Sequence, residues 1–171
     1  MTLQHVRALN LVAMLAAVVV VACGDDDSSG PTIVTETFRA TLNGANEKPN
    51  ATVSNGIGAG TVVIFGAAAD SISYDLKIGQ IDSVTLSHIH AGDVNSAGSI
   101  IFGFPNTVPP TSFPTANTQF QAGMIRRTGS TFSGIFTFDS LVTRLRAGTA
   151  YMNVHTRKYG AGEIRGNLIK Q

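Results

Sequence analysis

A series of short apolar runs, separated by glycine, asparagine and proline, constrains the fold of this chain more than any other feature. In the clearest run, residues 72–78, apolar side chains alternate with polar ones at a period of two. Such alternation is typical of a strand with one buried face. Similar runs occur at 38–42, 61–65, 84–90, 99–104, 120–126, 131–138, 151–156 and 162–168. Many short strands with glycine-rich turns predict an all-β antiparallel sandwich or barrel.

One short helix is predicted among the strands, near residues 139–147. Asp139 is a suitable N-cap, and Leu141 and Leu145 repeat at helical spacing. Gly148 stands where a glycine commonly ends a helix.

Two segments are predicted to lack regular structure. Residues 23–35 are rich in Asp, Ser, Gly, Pro and Thr, so we expect a flexible tether in front of a single domain at 36–169. Residues 105–119 are proline-rich and predict a long irregular loop. Loops of this length are often functional, and recognition of a carbohydrate or a protein there is one open alternative.

The N-terminus has the pattern of a bacterial lipoprotein signal. Arg7 precedes an apolar run that is shorter than the about twenty residues of a membrane span, which predicts a signal peptide over residues 1–22. The sequence VVAC at 20–23 resembles a lipobox, in which Cys23 is lipidated and becomes the first mature residue. Gly24 follows the cysteine, a pattern that resembles sorting to the outer membrane. An ordinary signal peptide or an N-terminal membrane anchor remains the alternative.

Composition excludes several classes of protein. Cys23 is the only cysteine, so neither a disulfide nor a thiolate metal site is expected in the mature chain. Without Arg7, basic and acidic side chains balance, and a nucleic-acid partner is not expected because phosphate binding needs a basic excess.

Three histidines form the candidate metal site. His88 and His90 lie two residues apart, so on a strand both imidazoles project from one face, and His155 can add a third ligand from another strand. Imidazole suits copper or zinc. The alternative is that these histidines are hydrogen-bonded groups that pack a loop against the sheet.

The phase of the strands leaves the positions of the histidines open. If Ile89 and Val154 face the core, all three histidines face away from it and meet outside the sheet. Unbroken alternation from Val84, in contrast, turns His88 and His90 inward. A bulge near Ser87 would reconcile the two patterns, although the sequence does not establish one.

A second pair of residues is charged. Glu163 and Arg165 share one face of a predicted strand, and we interpret them as a structural ion pair rather than a ligand site. Glu47, in a turn-rich loop, is a candidate acid. No nucleophile motif, calcium loop or nucleotide fingerprint is recognised, and no catalytic residue is predicted.

Four blocks of sequence, in order, resemble the CHRD (chordin-type) domain. They are FRATLNGANEKP at 38–49, HIHAG at 88–92 with Gly98, YMNVHT at 151–156 and GEIRG at 162–166. The resemblance covers the predicted domain and implies an immunoglobulin-like β-sandwich. Lys48 stands where the family often has proline. The chain lacks the cysteine-rich repeats of chordin, so growth-factor antagonism is not carried over.

A more distant resemblance is to copper/zinc superoxide dismutase, whose H-x-H strand and late Val-His supply copper ligands. It implies corresponding roles for His88, His90 and His155. The mature sequence has no further histidine for the bridging position and no disulfide, so dismutase activity is not expected.

The sequence therefore predicts a lipid-anchored CHRD protein of the bacterial envelope, held at the membrane through lipid on Cys23. We expect a non-catalytic binding or structural module with an unassigned extracellular or periplasmic ligand. The alternative function is binding of copper or zinc.

Overall fold

Antiparallel strands make up most of the molecule. The computed structural model describes residues 34–105 and 109–171. Its strands are β1 Thr35–Asn43, β2 Ile57–Phe65, β3 Ser71–Gly79, β4 Ile81–Ala91, β5 Ile100–Gly103, β6 Thr111–Phe113, β7 Thr118–Arg126, β8 Ala150–Thr156, β9 Ile164–Asn167 and β10 Ile169–Lys170. A 3-10 helix spans Gly44–Asn46 and the helix α1 spans Phe138–Arg146.

The strands form one curled sheet of ten strands in the described residues. The order is β5-β4-β8-β9-β1-β2-β3-β7, with β6 paired to β4 and β10 paired to β1. The two ends of this order approach each other: Gln121 Nε2 of β7 donates to the Pro105 carbonyl just after β5. The ring of Tyr74, on the neighbouring β3, lies 6.1 Å from that of Phe102 on β5. The predicted all-β antiparallel class with one helix is confirmed.

Alternation decides which side chains enter the core. On β1, Phe38, Ala40 and Leu42 are buried, and β3 repeats the pattern from Ile72 to Ile78. In β8, however, every residue is buried. Ala150, Met152 and Val154 belong to the apolar core, whereas Tyr151, Asn153 and His155 lie on the opposite face, where loops cover them. A second buried layer, made of polar side chains, therefore lies on the face of β8 that points away from the apolar core.

The helix is confirmed, but its N-cap is Thr137 and the predicted Asp139 cap is wrong. Thr137 Oγ1 accepts from the Ser140 amide at 3.2 Å, and Ser140 Oγ accepts from the Thr137 amide at 2.7 Å. Two residues thus satisfy two backbone donors of the first turn, which a cap at Asp139 would leave unpaired. The helix ends at Arg146, and Gly148, which follows the C-cap Ala147, has a φ of +68° that suits glycine.

Two predictions of local structure are wrong. Residues 131–138 were expected to form a strand, but Gly134 has a φ of +59° within a turn, and Phe132 and Phe136 pack on the core from that turn. The predicted loop 105–119 contains β6, which pairs with β4, and the first two residues of β7.

The N-terminal predictions fall largely outside the described residues. The signal segment 1–22, Cys23 and the tether up to residue 33 are not described, and β1 begins at Thr35. Residues 106–108 of the predicted loop are also not described. Within the described ranges, no helix has the length and apolar character that crossing a membrane requires.

The capping box gives a test of the helix start. We expect Thr137→Ala to lower the free energy of unfolding by about 1 kcal/mol, because the first turn of the helix loses the hydroxyl that caps it. Asp139→Asn, the matched control, removes only an exposed ion pair with Arg127 and should change it by less than about 0.5 kcal/mol. Urea unfolding of the full chain measures both values. A larger loss in Asp139→Asn would contradict this cap assignment.

Candidate metal centre

A bulge in β4 brings the three histidines to one face of the sheet. The β4–β8 register shifts between Val84 and Leu86, where a single extra residue on β4 reverses the alternation. Val84 and Ile89 therefore both reach the core and are 0% exposed. The bulge proposed near Ser87 lies two residues earlier, and it places His88 and His90 on the face away from the core.

The pairing of β4, β8 and β9 then sets a row of polar neighbours. His88 lies opposite Asn153, which lies opposite Arg165, and His90 lies opposite Tyr151. His155 follows two residues after Asn153 on the same face. We refer to these six side chains as the polar layer: His88, His90, Tyr151, Asn153, His155 and Arg165.

The three imidazoles converge within the polar layer. His88 Nδ1 and His155 Nε2 are 3.0 Å apart, and the ring centroids of His88 and His90 are 5.3 Å apart. One nitrogen from each ring lies within 4.8 Å of the other two. Each residue is only 7–8% exposed. The structure thus brings together the three histidines that the sequence analysis predicts as metal ligands.

Hydrogen bonds to backbone carbonyls fix two of the tautomers. His90 Nδ1 is 2.9 Å from the Gly98 carbonyl, and His155 Nδ1 is 3.0 Å from the Gly160 carbonyl. A carbonyl oxygen only accepts, so both Nδ1 atoms carry the proton and both Nε2 atoms carry a lone pair. His90 Nε2 is buried and has no hydrogen-bond partner. This arrangement is typical of metal-ligating histidines.

Burial keeps the imidazoles neutral. Desolvation, followed by repulsion from His155 and His90, lowers the pKa of His88 to about 4. Desolvation is also the main cause that lowers the pKa of His90 to about 4, and it lowers the pKa of His155. At neutral pH the cluster therefore offers uncharged nitrogen donors, the protonation state that metal binding requires.

The donor set fits copper or zinc. Both metals accept imidazole, and a Zn–N bond is about 2.0–2.1 Å, so the 3.0 Å between His88 Nδ1 and His155 Nε2 allows both to bind one ion. Two nitrogens that bind one tetrahedral ion at about 2.0–2.1 Å lie about 3.3–3.4 Å apart, so nitrogens separated by up to 4.8 Å must approach by as much as about 1.4 Å. In the metal-free cluster, His88 Nδ1 donates to the His155 Nε2 lone pair, since His155 is already protonated on Nδ1.

Arg165 and Tyr151 extend the cluster on the His90 side. The Tyr151 ring stacks on His90 with centroids 4.9 Å apart, and the Arg165 guanidinium carbon lies 3.5 Å from the Tyr151 centroid. Arg165 is 1% exposed, and its Nη2 donates to the carbonyls of Asp93 and Ser96. A buried cation, tyrosine and imidazole thus form one stack.

The described residues contain no ion pair between Glu163 and Arg165, which corrects the predicted pair. Glu163 Oε1 accepts from Ser54 Oγ at 2.6 Å, and Oε2 accepts from Thr156 Oγ1 at 2.5 Å. Glu163 lies before β9, so strand alternation does not place its side chain beside Arg165. A hydroxyl group from the loop at Ser54 and another from the last residue of β8 bind this carboxylate instead.

Glu47 is buried, although a solvated position is usual for a loop acid. Asn153 Nδ2 donates to Glu47 Oε1 at 2.6 Å, and the residue is 5% exposed. Burial raises the pKa of Glu47 to about 7, against the attraction of Arg165 and the Asn153 bond. A surface cavity of about 310 Å³ reaches Glu47 between Lys48 and the 158–162 segment.

No role is predicted for Tyr151 and Asn153 from the sequence. Both alternate with His155 on one strand, so the side-chain period of two was a signal that they share its face. The contacts of Tyr151 and Asn153 with His90 and Glu47 depend on strand pairing, which the sequence did not reveal.

Comparison with protein families agrees with this architecture. The family model of the CHRD domain matches residues 38–168. The chain belongs to the CHRD family. The match spans β1 to β9 and includes every residue of the polar layer together with Glu47 and Glu163. No curated protein and no solved structure matches the chain.

The buried titratable groups of the CHRD domain predict an acid-labile fold. The pKa values of His88 and His90 lie below the unfolded value of 6.5, so the unfolded state takes up protons first as the pH falls. The stability that the neutral imidazoles contribute is complete above pH 6.5 and is lost towards pH 4. Glu47, whose pKa is raised, acts in the opposite direction between pH 7 and 4.5.

We expect the metal-free full chain to lose about 3 kcal/mol of unfolding free energy between pH 7 and 4. Urea unfolding with a chelator present, at a series of pH values, measures this loss. His90→Gln should flatten the profile, whereas Glu47→Gln should steepen it. A flat profile for the unmodified chain would show that the histidines are not buried as neutral groups.

Proposed function

We propose that this CHRD protein is a non-catalytic binding module whose ligand is one copper or zinc ion. The observation that carries the proposal is the convergence of three neutral imidazoles, with a buried lone pair on His90 Nε2 that has no partner. An unpaired polar atom in a buried site is costly unless a ligand satisfies it. A metal ion bound to this nitrogen accounts for that atom.

A non-catalytic role follows from how closed the cluster is. The rings are 7–8% exposed and are covered by the segments around Gly98 and Gly160. Metal catalysis needs an open coordination position that a substrate can reach. The buried histidines favour retention of an ion over turnover of a substrate.

Metal binding is tested on the purified full chain with copper and zinc in competition with chelators. We expect one ion per chain and an affinity that falls about a hundredfold or more in His90→Gln, since one ligand is lost. Tyr159→Phe is the matched control, because it removes only a hydroxyl that donates to the Val53 carbonyl at the surface. It should bind like the unmodified chain.

Two results would contradict a metal site. One is metal content at background level in the unmodified chain. The other is an affinity that does not change in His90→Gln while urea unfolding shows a loss of stability. Either result makes the histidines structural groups that hold the covering loops on the sheet.

We also propose that the protein is a lipoprotein of the bacterial envelope, anchored in the outer membrane through lipid on Cys23. The support is the sequence alone: the apolar run that ends at Ala22, the lipobox-like VVAC and Gly24. A polar segment of about a dozen residues then leads to β1 at Thr35. The metal centre would face the envelope compartment, where it meets extracellular or periplasmic metal.

Acylation tests the anchor directly. Cells that express the full chain with a palmitate analogue should label it, and Cys23→Ser should abolish the label, because the cysteine sulfur and the new N-terminus carry the lipid. Ser28→Ala, a control in the same polar segment, should keep the label. Label that persists in Cys23→Ser would refute lipidation at this residue, whatever the outcome of the metal experiment.

A further inference from the structure

The charge of Arg165 is fixed inside the domain without a carboxylate partner. Its Nη2 donates to the carbonyls of Asp93 and Ser96 and to Asn167 Oδ1, and its Nε and Nη1 are buried without a partner. The ion pairs within the described ranges 34–105 and 109–171 do not include this guanidinium. Arginine keeps its proton in proteins, so the charge is permanent.

This charge acts on His90. The guanidinium covers one face of the Tyr151 ring, and the ring is nearly parallel to the His90 imidazole, with an angle of 12° between them. Because Arg165 is 1% exposed, water screens its field poorly. The guanidinium therefore repels a positive charge placed on the His90 ring. A metal ion on His90 Nε2 is also a cation and meets the same repulsion.

The repulsion distinguishes ions by their charge. Coulomb energy is proportional to the charge of the ion, so the repulsion from Arg165 is twice as large for a divalent ion as for a monovalent ion at the same place. The described cluster supplies three neutral nitrogens and includes no carboxylate. Glu47 and Asp93 are the acids that attract Arg165, but Asp93 is exposed and Glu47 is partly protonated near neutral pH.

We propose that the histidine cluster is a site for monovalent copper, and that Arg165 is the residue that selects Cu(I) over Cu(II) and Zn(II). This inference rests on the proposed metal-binding function and deepens it. Three imidazoles bind monovalent and divalent ions alike, so the choice between these ions rests on the charge of Arg165. The stacked guanidinium then makes the second positive charge unfavourable.

The experiment compares affinities of the full chain for three ions. Cu(I) is measured anaerobically against a chromophoric Cu(I) chelator, and Cu(II) and Zn(II) against chelators of known affinity. The variant Arg165→Gln removes the charge and keeps an amide that can donate to the Asp93 and Ser96 carbonyls. Arg165→Lys is the matched control, because it retains the charge. Circular dichroism and urea unfolding establish that each variant folds.

We expect Arg165→Gln to raise the affinity for Cu(II) and Zn(II) about tenfold relative to Cu(I). For copper this change corresponds to a reduction potential lower by about 59 mV. Arg165→Lys should stay within about threefold of the unmodified chain. An unchanged ratio in Arg165→Gln overturns the role of Arg165, and a preference of the unmodified chain for Zn(II) overturns the assignment to Cu(I).

A second variant keeps the inference testable if Arg165→Gln does not fold. Glu47→Gln removes a negative charge near Arg165 and preserves the acceptor for Asn153 Nδ2. At pH 8, where the carboxylate is mostly ionised, this variant should shift the ratio further towards Cu(I). A shift towards Cu(II) would overturn the electrostatic argument. If the unmodified chain binds none of the ions, the proposed function itself fails.

Discussion

The register shift between Val84 and Leu86 is the constraint on which the polar layer depends. Without it, the alternation that buries Val84 would also bury His88 and His90 in an apolar core, where their nitrogens would lack partners. Because of one extra residue on β4, the same strand places apolar side chains in the core and its histidines in the polar layer. The apolar side chains of β4 stabilise the sheet, while its imidazoles meet those of β8 on the other face. The bulge is therefore a structural requirement of the site and not an irregularity of the sheet.

Loops complete the polar layer by hydrogen bonding to side chains of the sheet. Gly98 binds His90 through its carbonyl and Tyr151 through its amide, and Asn167 Nδ2 donates to the Gly92 carbonyl. Gly98 is required at its position, because a Cβ there would lie 1.9 Å from the Ala91 carbonyl oxygen. The polar layer and the loop segments that cover it therefore hold each other in place. Losing a hydrogen bond from one of them leaves a polar group of the other without its partner.

Much of the fold could be predicted because it follows from local pattern. The alternation of Ile72 to Ile78 and the H-x-H pair both depend on the strand period, which is visible in the sequence. Thr137 was missed as the cap because Asp139 is also a good capping residue. The assignment of a strand to 131–138 failed because aromatic residues in a turn also produce alternation. The partners of Glu163 could not be predicted, since Ser54 approaches it from a distant part of the chain.

The covering segments also bear on how quickly an ion could enter or leave the proposed metal site. The described carbonyls of Asp93 and Ser96 are tied to Arg165, and the Gly98 carbonyl lies on His90, so an ion cannot pass on this side without breaking several of these bonds together. Exchange would then be governed by the frequency of local opening rather than by diffusion. An ion bound at the proposed site would therefore be retained through brief changes in its surroundings, because the opening rate of the loop would set its residence time.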